Sequence, residues 1–306
     1  MAFHPLLAAT ALLPMIASYP IAVAQQSGTE ATAIEVMDTA RDLHDRMTVP
    51  VRIGNKGPFQ FMIDTGAERT VLARDVATRL GLVTSGQALL VTVAGSQQVD
   101  LVDIDEINLG RRSFYSLTAP LLEGQDIGAD GIIGLDGLQS QRVLLDFDKN
   151  TMAIGDARDL GGNDGFEIVV TARRRSGQLI MTNAMIDGVA TDVLIDTGAD
   201  SSIGNRALQR ALARKRAPET TQLVSVTGQK ITADIGMARM LKVGGLTMTN
   251  TELVFADAPP FENLKLTRRP AMLMGMNQLR LFHRVAIDFA SRRILFDLPT
   301  NTLLAM

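Results

Sequence analysis

Apolar residues in this chain come in short runs broken by glycine and by small clusters of Asp, Asn and Ser. That pattern predicts strands and turns rather than long helices. Two runs, FQFMI at 59–63 and TDVLI at 191–195, lead into one shared pentapeptide, Ile-Asp-Thr-Gly-Ala, at 63–67 and 195–199. After each comes a helical spacing. In VLARDVATRLGL (71–82), Leu72, Val76 and Leu80 share a face and Gly81 is a stop; in RALQRALARKRAP (206–218), Leu208 and Leu212 are spaced for a helix that Pro218 ends. Then LVTVAGSQQV (90–99) and LVSVTGQKIT (223–232) each read as strand, glycine turn, strand, which is a hairpin signal.

The parallel continues. DGIIGLDGL (130–138) faces AMLMGMNQL (271–279), and RVLLDFDKNTMAI (142–154) faces RVAIDFASRRILF (284–296) with Arg, Val, Asp and Phe identical in spacing. Features repeated in one order mean an internal duplication. The reading is a mainly β chain of two like lobes about a pseudo-two-fold axis, with one short helix per lobe. The lobes span 47–156 and 166–299, joined by a linker at 157–165 inside a Gly- and Asp-rich stretch. Residues 25–46 form a leader in which VMDTARDLHDRM (36–47) reads as a helix of unassigned role. The first 24 residues are apolar and uncharged apart from His4 and the α-amino group, and Ala22-Val23-Ala24 fits a small-x-small cleavage site. They read as a secretory signal cut after Ala24, implying export to a periplasm or the exterior. The alternative is a retained apolar anchor, which Pro14 and Pro20 would interrupt.

Composition narrows the chemistry. The 306 residues contain no cysteine, so thiol nucleophiles, disulfides and Cys-held metals are excluded. Only His4, His44 and His283 are histidines, too few to favour a His-based metal site or triad. No metal or other cofactor is expected. A net charge of -3 with 4% aromatic residues gives no basis for nucleic-acid binding. The basic runs at 173–175 and 210–216 read as a solvated loop and a solvated helix face.

What remains is the duplicated aspartate. Asp64 and Asp196 each follow a strand and precede a Thr-Gly that favours a turn, so each sits at a rigid strand end. Two lobes face to face would bring the carboxyls together. Two carboxylates at that range cannot both ionise easily, so they share a proton and titrate as a pair. The ionised member can take a proton from water while the neutral member donates to a carbonyl. Gly66 and Gly198 would let the turns approach, and Thr65 and Thr197 could reach across the axis to lock them. Asp146 and Asp288, also duplicated, lack the glycine turn and read as structural; Asp130 and Asp136 read as loop residues.

These motifs resemble the aspartic peptidases, the group of pepsin and the retroviral proteases. IDTGAERTVL is similar to the retropepsin active-site segment, including Ala67 and, in the second copy, Ala199 after the glycine. Ile132-Ile133-Gly134 and Leu273-Met274-Gly275 resemble the apolar-apolar-Gly strand behind the active-site loop. The two closing hairpins are similar to those that end a pepsin lobe. The resemblance covers about 47–299. It implies a two-lobed acid-protease fold in one chain, a single-chain bacterial retropepsin-like protease for which a monomer suffices. It also implies an aspartic endopeptidase acting on extended polypeptide, with Asp64 and Asp196 catalytic and flap tips at Ala94-Gly95 and Thr227-Gly228. Alternatives are a catalytically silent periplasmic peptide-binding protein of the same fold, and a protease whose target is its own leader.

The chain departs from the pattern in places. Leu135 and Met276 stand where retropepsins place an arginine, so Glu68 and Asp200 lack that partner. Neither flap turn carries the tyrosine of pepsin. Ala67 and Ala199 remove the hydroxyl that would favour an ionised carboxyl, so the expected optimum is mildly acidic to near neutral.

Overall fold

Every strand of one half has a counterpart in the other. The computed structural model describes residues 36–42, 46–138, 141–212 and 219–298. The first half begins with β1 (Val36–Asp38), β2 (Ala40–Arg41), β3 (Met47–Ile53), β4 (Lys56–Ile63) and β5 (Val71–Ala73). Helix α1 (Arg74–Leu80) follows, then β6 (Thr84–Thr92), β7 (Gly95–Leu109) and β8 (Arg112–Leu122). It closes with α2 (Gly124–Ile127), β9 (Gly131–Ile133), α3 (Leu135–Leu138), β10 (Arg142–Asp146) and β11 (Thr151–Gly155). The second half holds β12 (Ile168–Thr171), β13 (Arg173–Arg175), β14 (Gln178–Ile186), β15 (Val189–Ile195) and β16 (Ile203–Gly204). Then come α4 (Arg206–Ala211), β17 (Glu219–Val224), β18 (Lys230–Val243), β19 (Leu246–Phe255) and α5 (Pro259–Asn263). The last elements are β20 (Ala271–Met274), α6 (Met276–Leu279), β21 (Arg284–Asp288) and β22 (Arg293–Asp297).

Two eight-stranded sheets run β2-β3-β4-β9-β5-β8-β7-β6 and β13-β14-β15-β20-β16-β19-β18-β17. Read in parallel, these orders match strand for strand, and the extra pairings β3–β7 and β14–β18 match too. The third sheet has six strands, β1-β11-β10-β21-β22-β12. Its centre is the antiparallel pair β10–β21, with Arg142 opposite Asp288 and Asp146 opposite Arg284. The closing hairpins therefore do not seal separate lobes; they join edge to edge into one floor beneath both. Arg142 and Asp288, both buried, make a 2.8 Å ion pair across that seam.

The chain differs from the sequence reading in four places. Residues 36–41, read as part of a helix, are strands β1 and β2, because the open edge of β11 takes β1 as its partner and pairing overrides local preference. Leu72 lies in β5 and not on α1, which begins at Arg74 and stops at Gly81 in the left-handed conformation (φ 75°). One helix per lobe becomes one longer helix and two single turns in each half. The run 173–175 is an exposed strand, β13, rather than a loop; Arg174 donates to the Phe289 carbonyl and Arg175 to that of Leu264 at 2.5 Å. The signal segment, His4, His44 and most of the second basic run lie outside the described residues.

Candidate active site

The site is built where β4 and β15 leave their sheets. β4 runs parallel to β9 up to the pair Ile63–Ile133, and β15 runs parallel to β20 up to Ile195–Met274. One residue further the amide of Asp64 donates to the Ile133 carbonyl and that of Asp196 to the Met274 carbonyl, each at 3.0 Å. Each aspartate is thus the last residue pinned by a core strand. The chain then turns, and a second pair of bonds holds the turn down: Leu135 N to Ala67 O and Met276 N to Ala199 O, each 2.8 Å.

This explains the glycine after each apolar pair. A Cβ on Gly134 would lie 2.5 Å from the Arg69 backbone, and one on Gly275 would lie 2.7 Å from the Ser201 carbonyl oxygen. The active-site turns rest directly on these glycines. Two further duplicated positions brace the same place. Thr70 and Ser202 each stand six residues after the aspartate, and each hydroxyl accepts from the glycine amide, at 3.3 and 2.8 Å. Thr70 Oγ1 donates to Asp136 (2.7 Å) and Ser202 Oγ to Asn277 Oδ1 (2.9 Å). Asp136, read from sequence as a loop residue, is therefore part of the support.

Across the axis the two threonines interlock. Thr65 Oγ1 donates to the Ile195 carbonyl (2.9 Å) and accepts from the Thr197 amide (3.2 Å); Thr197 Oγ1 donates to the Ile63 carbonyl (2.7 Å) and accepts from the Thr65 amide (3.1 Å). Both are buried. This reciprocal lattice places the two carboxyls side by side, close enough to share a hydrogen bond. Each is also cradled from its own turn. Asp64 Oδ1 accepts from the amides of Gly66 (2.7 Å) and Ala67 (3.0 Å), and Asp196 Oδ1 from those of Gly198 (3.0 Å) and Ala199 (3.1 Å). A Cβ at Gly66 would sit 2.7 Å from Asp196, and one at Gly198 would overlap Asp64. Only glycine allows this approach.

Burial raises both carboxyls above their ordinary range. For Asp196, burial and then the charge of Asp64 push the pKa up to about 8, against the pull of its two amides. For Asp64, burial is opposed by the Gly66 amide, by the Arg46 guanidinium and by the Ala67 amide. Electrostatically the pair is unequal although its backbone is symmetric.

The dyad lies in a cleft of about 580 Å³ lined from both halves, including Leu89–Val93 of the first hairpin and Gln222–Val226 of the second. The expected flap tips both reach over to the other half. A Cβ on Gly95 would meet Gln229 Oε1 at 2.8 Å, and one on Gly228 would meet Asp126 at 2.9 Å. Val93 packs against the core cluster containing Ile180, Phe261 and Leu273 of the second half. Ala94 and Thr227 stand beside these tips. Asp146 and Asp288 are in the six-stranded floor, and His283 pairs with Asp148. Among the described residues no group of three or more His, Asp or Glu is gathered that could hold a metal ion.

Two residues that reach across to the opposite turn also escaped the sequence reading. Arg46, just before β3, donates from Nη1 to the Gly198 carbonyl (3.2 Å) and from Nη2 to that of Ile127. Gln178, which opens β14, donates from Nε2 to the Gly66 carbonyl (2.7 Å). They brace the lobes where retropepsins would use an arginine at the positions of Leu135 and Met276, both buried here in the core. Arg46 fell inside the supposed leader, and the pair differs in type, so the repeat alone did not expose it.

Matched sheets meeting on paired Asp-Thr-Gly turns define a two-lobed aspartic peptidase. The family model described as aspartyl protease matches residues 49–136 and 182–278, and the chain belongs to that family. No curated protein matches it.

Proposed function

We propose that this protein is an aspartic endopeptidase that hydrolyses internal peptide bonds of polypeptide held extended in the cleft between the two hairpins. The observation that carries the reading is the Asp64–Asp196 pair, each carboxyl set against the glycine of the opposite turn and cradled by two amides of its own. A water between the carboxyls loses a proton to the ionised member. Its hydroxyl oxygen bonds to the amide carbon, and the neutral member's proton goes to the carbonyl oxygen. In the resulting diol the C–N bond breaks. The leaving nitrogen takes the proton gained by the first carboxyl, and one diol hydroxyl returns a proton to the second, restoring the starting pair.

Substrate backbone would pair with the hairpin strands, as in strand addition. Leu89, Val91, Ile132, Leu223, Val224 and Leu273 line the cleft, which favours apolar side chains near the scissile bond. Processing of its own leader is a poorer account. Removing residues 25–46 would take away β1, β2 and Arg46, which are built into the sheets and the site. We also propose export, on the strength of the apolar N-terminal 24 residues. Among the described residues no helix is long and apolar enough to cross a membrane.

The test is digestion of a peptide library by the wild type, Asp64→Asn and Asp196→Asn, with and without pepstatin. Cleavage by the wild type alone, blocked by pepstatin, supports the reading. Equal cleavage by all three defeats the dyad, and binding without cleavage over a broad pH range favours a silent peptide-binding protein. N-terminal sequencing of protein recovered from a cell envelope fraction tests export and the cut after Ala24.

A further inference from the structure

We propose that Arg46 breaks the chemical symmetry of the dyad, holding Asp64 as the ionised member that deprotonates water and leaving the shared proton on Asp196. The inference rests on the reading of Asp64 and Asp196 as a peptidase dyad and assigns the two halves their separate tasks.

The argument begins with equivalence. β3 and β14 occupy the same place in their sheets, second in order and flanked by β2 and β4 or by β13 and β15. Arg46 precedes the first residue of β3, and Gln178 is the first residue of β14. Each side chain crosses to the glycine carbonyl of the opposite active-site turn, Arg46 to Gly198 and Gln178 to Gly66. One position of the duplicated scaffold thus holds a permanent cation in one copy and a neutral amide in the other. Both are buried, at 5% and 7% exposure, so screening by solvent is weak. The glycine that Arg46 grips is the one packed on the Asp64 carboxyl. The amide of Gly198 bonds Asp196, so this glycine touches both carboxyls, and the pull of the guanidinium, itself paired with Asp42, falls on Asp64.

The guanidinium is fixed as well as placed. Asp42 accepts from Arg46 N (2.8 Å) and Nε (2.7 Å) and lies 2.6 Å from Nη2, which also donates to the Ile127 carbonyl. Arginine remains charged throughout any working pH. The other charged groups facing the cleft are Glu68 and Arg69 on the first turn, Asp200 on the second and Asp126 on α2. Glu68 and Asp200 stand at equivalent positions and cancel as a source of asymmetry. Arg69 faces Ser201 in the repeat, so it is a second difference and the natural control. The charge balance agrees with this assignment. Arg46 pulls Asp64 down, whereas the charge that acts on Asp196 is that of Asp64 itself, which pushes it up.

The experiment follows the carboxyl carbons by NMR titration of the free protein, assigned with Asp64→Asn and Asp196→Asn, and so needs no substrate. In the wild type the lower apparent pKa belongs to Asp64. Arg46→Gln raises it by about one unit or more, Arg46→Lys keeps it near the wild-type value, and Arg69→Ser leaves it unmoved. Gln178→Arg, made with Arg46 in place, brings the Asp196 titration down toward that of Asp64, so the test survives if Arg46→Gln does not fold. A folded Arg46→Gln protein with an unshifted lower titration overturns the proposal. So does a Gln178→Arg protein whose Asp196 titrates as before, or an Arg69→Ser shift as large as that of Arg46→Gln. Peptide hydrolysis measured on the same proteins tells the two readings apart: an active wild type with unshifted titrations sinks the role of Arg46 and leaves the peptidase standing.

Discussion

Replacing Asp196 by asparagine is expected to end hydrolysis while making the folded chain more stable at neutral pH. Asparagine imitates the neutral carboxyl: its oxygen can accept from the Gly198 and Ala199 amides, and its NH2 can donate to Asp64. The sign follows from linkage. Asp196 is held protonated in the fold up to about 8, whereas in the unfolded chain it ionises near 3.8. Between those values the folded state binds more protons, so stability is fully present below the lower value and falls as pH rises. About three units separate 3.8 from neutrality, and at about 1.4 kcal/mol per unit the loss by pH 7 is on the order of 4 kcal/mol. The variant has no such group to titrate. Urea unfolding at about pH 3.5 and about pH 7 reads the difference, which should be small in acid and grow to several kcal/mol at neutrality. The slope with pH is the decisive quantity, because any fixed cost of seating an amide cancels in it. Parallel pH profiles of stability for wild type and variant would refute the buried, protonated Asp196.

The remaining expectations follow from the same geometry. Hydrolysis needs one neutral and one ionised carboxyl, so kcat/KM should fall on the alkaline side as Asp196 ionises near 8 and on the acid side as Asp64 takes a proton above the ordinary carboxyl range; a maximum below about pH 3 contradicts both shifts. Thr65→Ala removes one donor and one acceptor of the reciprocal lattice and leaves the Ile195 carbonyl and Thr197 amide without these bonds. It should cost about 2–4 kcal/mol by urea unfolding, and adding Thr197→Ala should cost less than a second full increment because the two share the lattice. Gly275→Ala drives a Cβ to 2.7 Å from the Ser201 carbonyl oxygen. It should destabilise by about 1–3 kcal/mol and lower kcat more than it raises KM, since the displaced turn carries Asp196; an unaltered kcat would argue that the turn does not rest on that glycine.

The sequence made some of this plain and hid the rest for identifiable reasons. The Asp-Thr-Gly-Ala turns and the apolar-apolar-Gly strands were legible because both lie in local runs whose residue types are repeated. The single-turn helices were not, since four or five residues give no 3.6-residue period to detect. The six-stranded floor was hidden more deeply. A hairpin has the same alternation whichever edge it meets, and only the opposition of Arg142 to Asp288 across the seam tells that β10 joins β21. Strand β1 was misread for a related reason: its partner β11 lies over a hundred residues away. Thr70 with Ser202, and Asp136 with Asn277, could have been found by aligning the copies by chemical type rather than identity.

That comparison also separates scaffold from task. Where the copies agree in residue type around the dyad, the residue builds the frame: Thr65 with Thr197 interlocks the turns, Gly66 with Gly198 admits the opposite carboxyl, Ala67 with Ala199 supplies an amide. A frame built by identical parts cannot by itself tell one carboxyl from the other, yet hydrolysis requires one to accept a proton while the other donates. The distinction must come from substrate or from positions where the copies diverge. Among side chains that reach across to the glycine carbonyl of the opposite turn, the divergence of charge falls on Arg46 and Gln178. A fused pair of lobes can fix such a difference permanently. In a symmetric pair of identical chains, any arginine on one side has its twin on the other, and the proton's place waits for the substrate to break the tie.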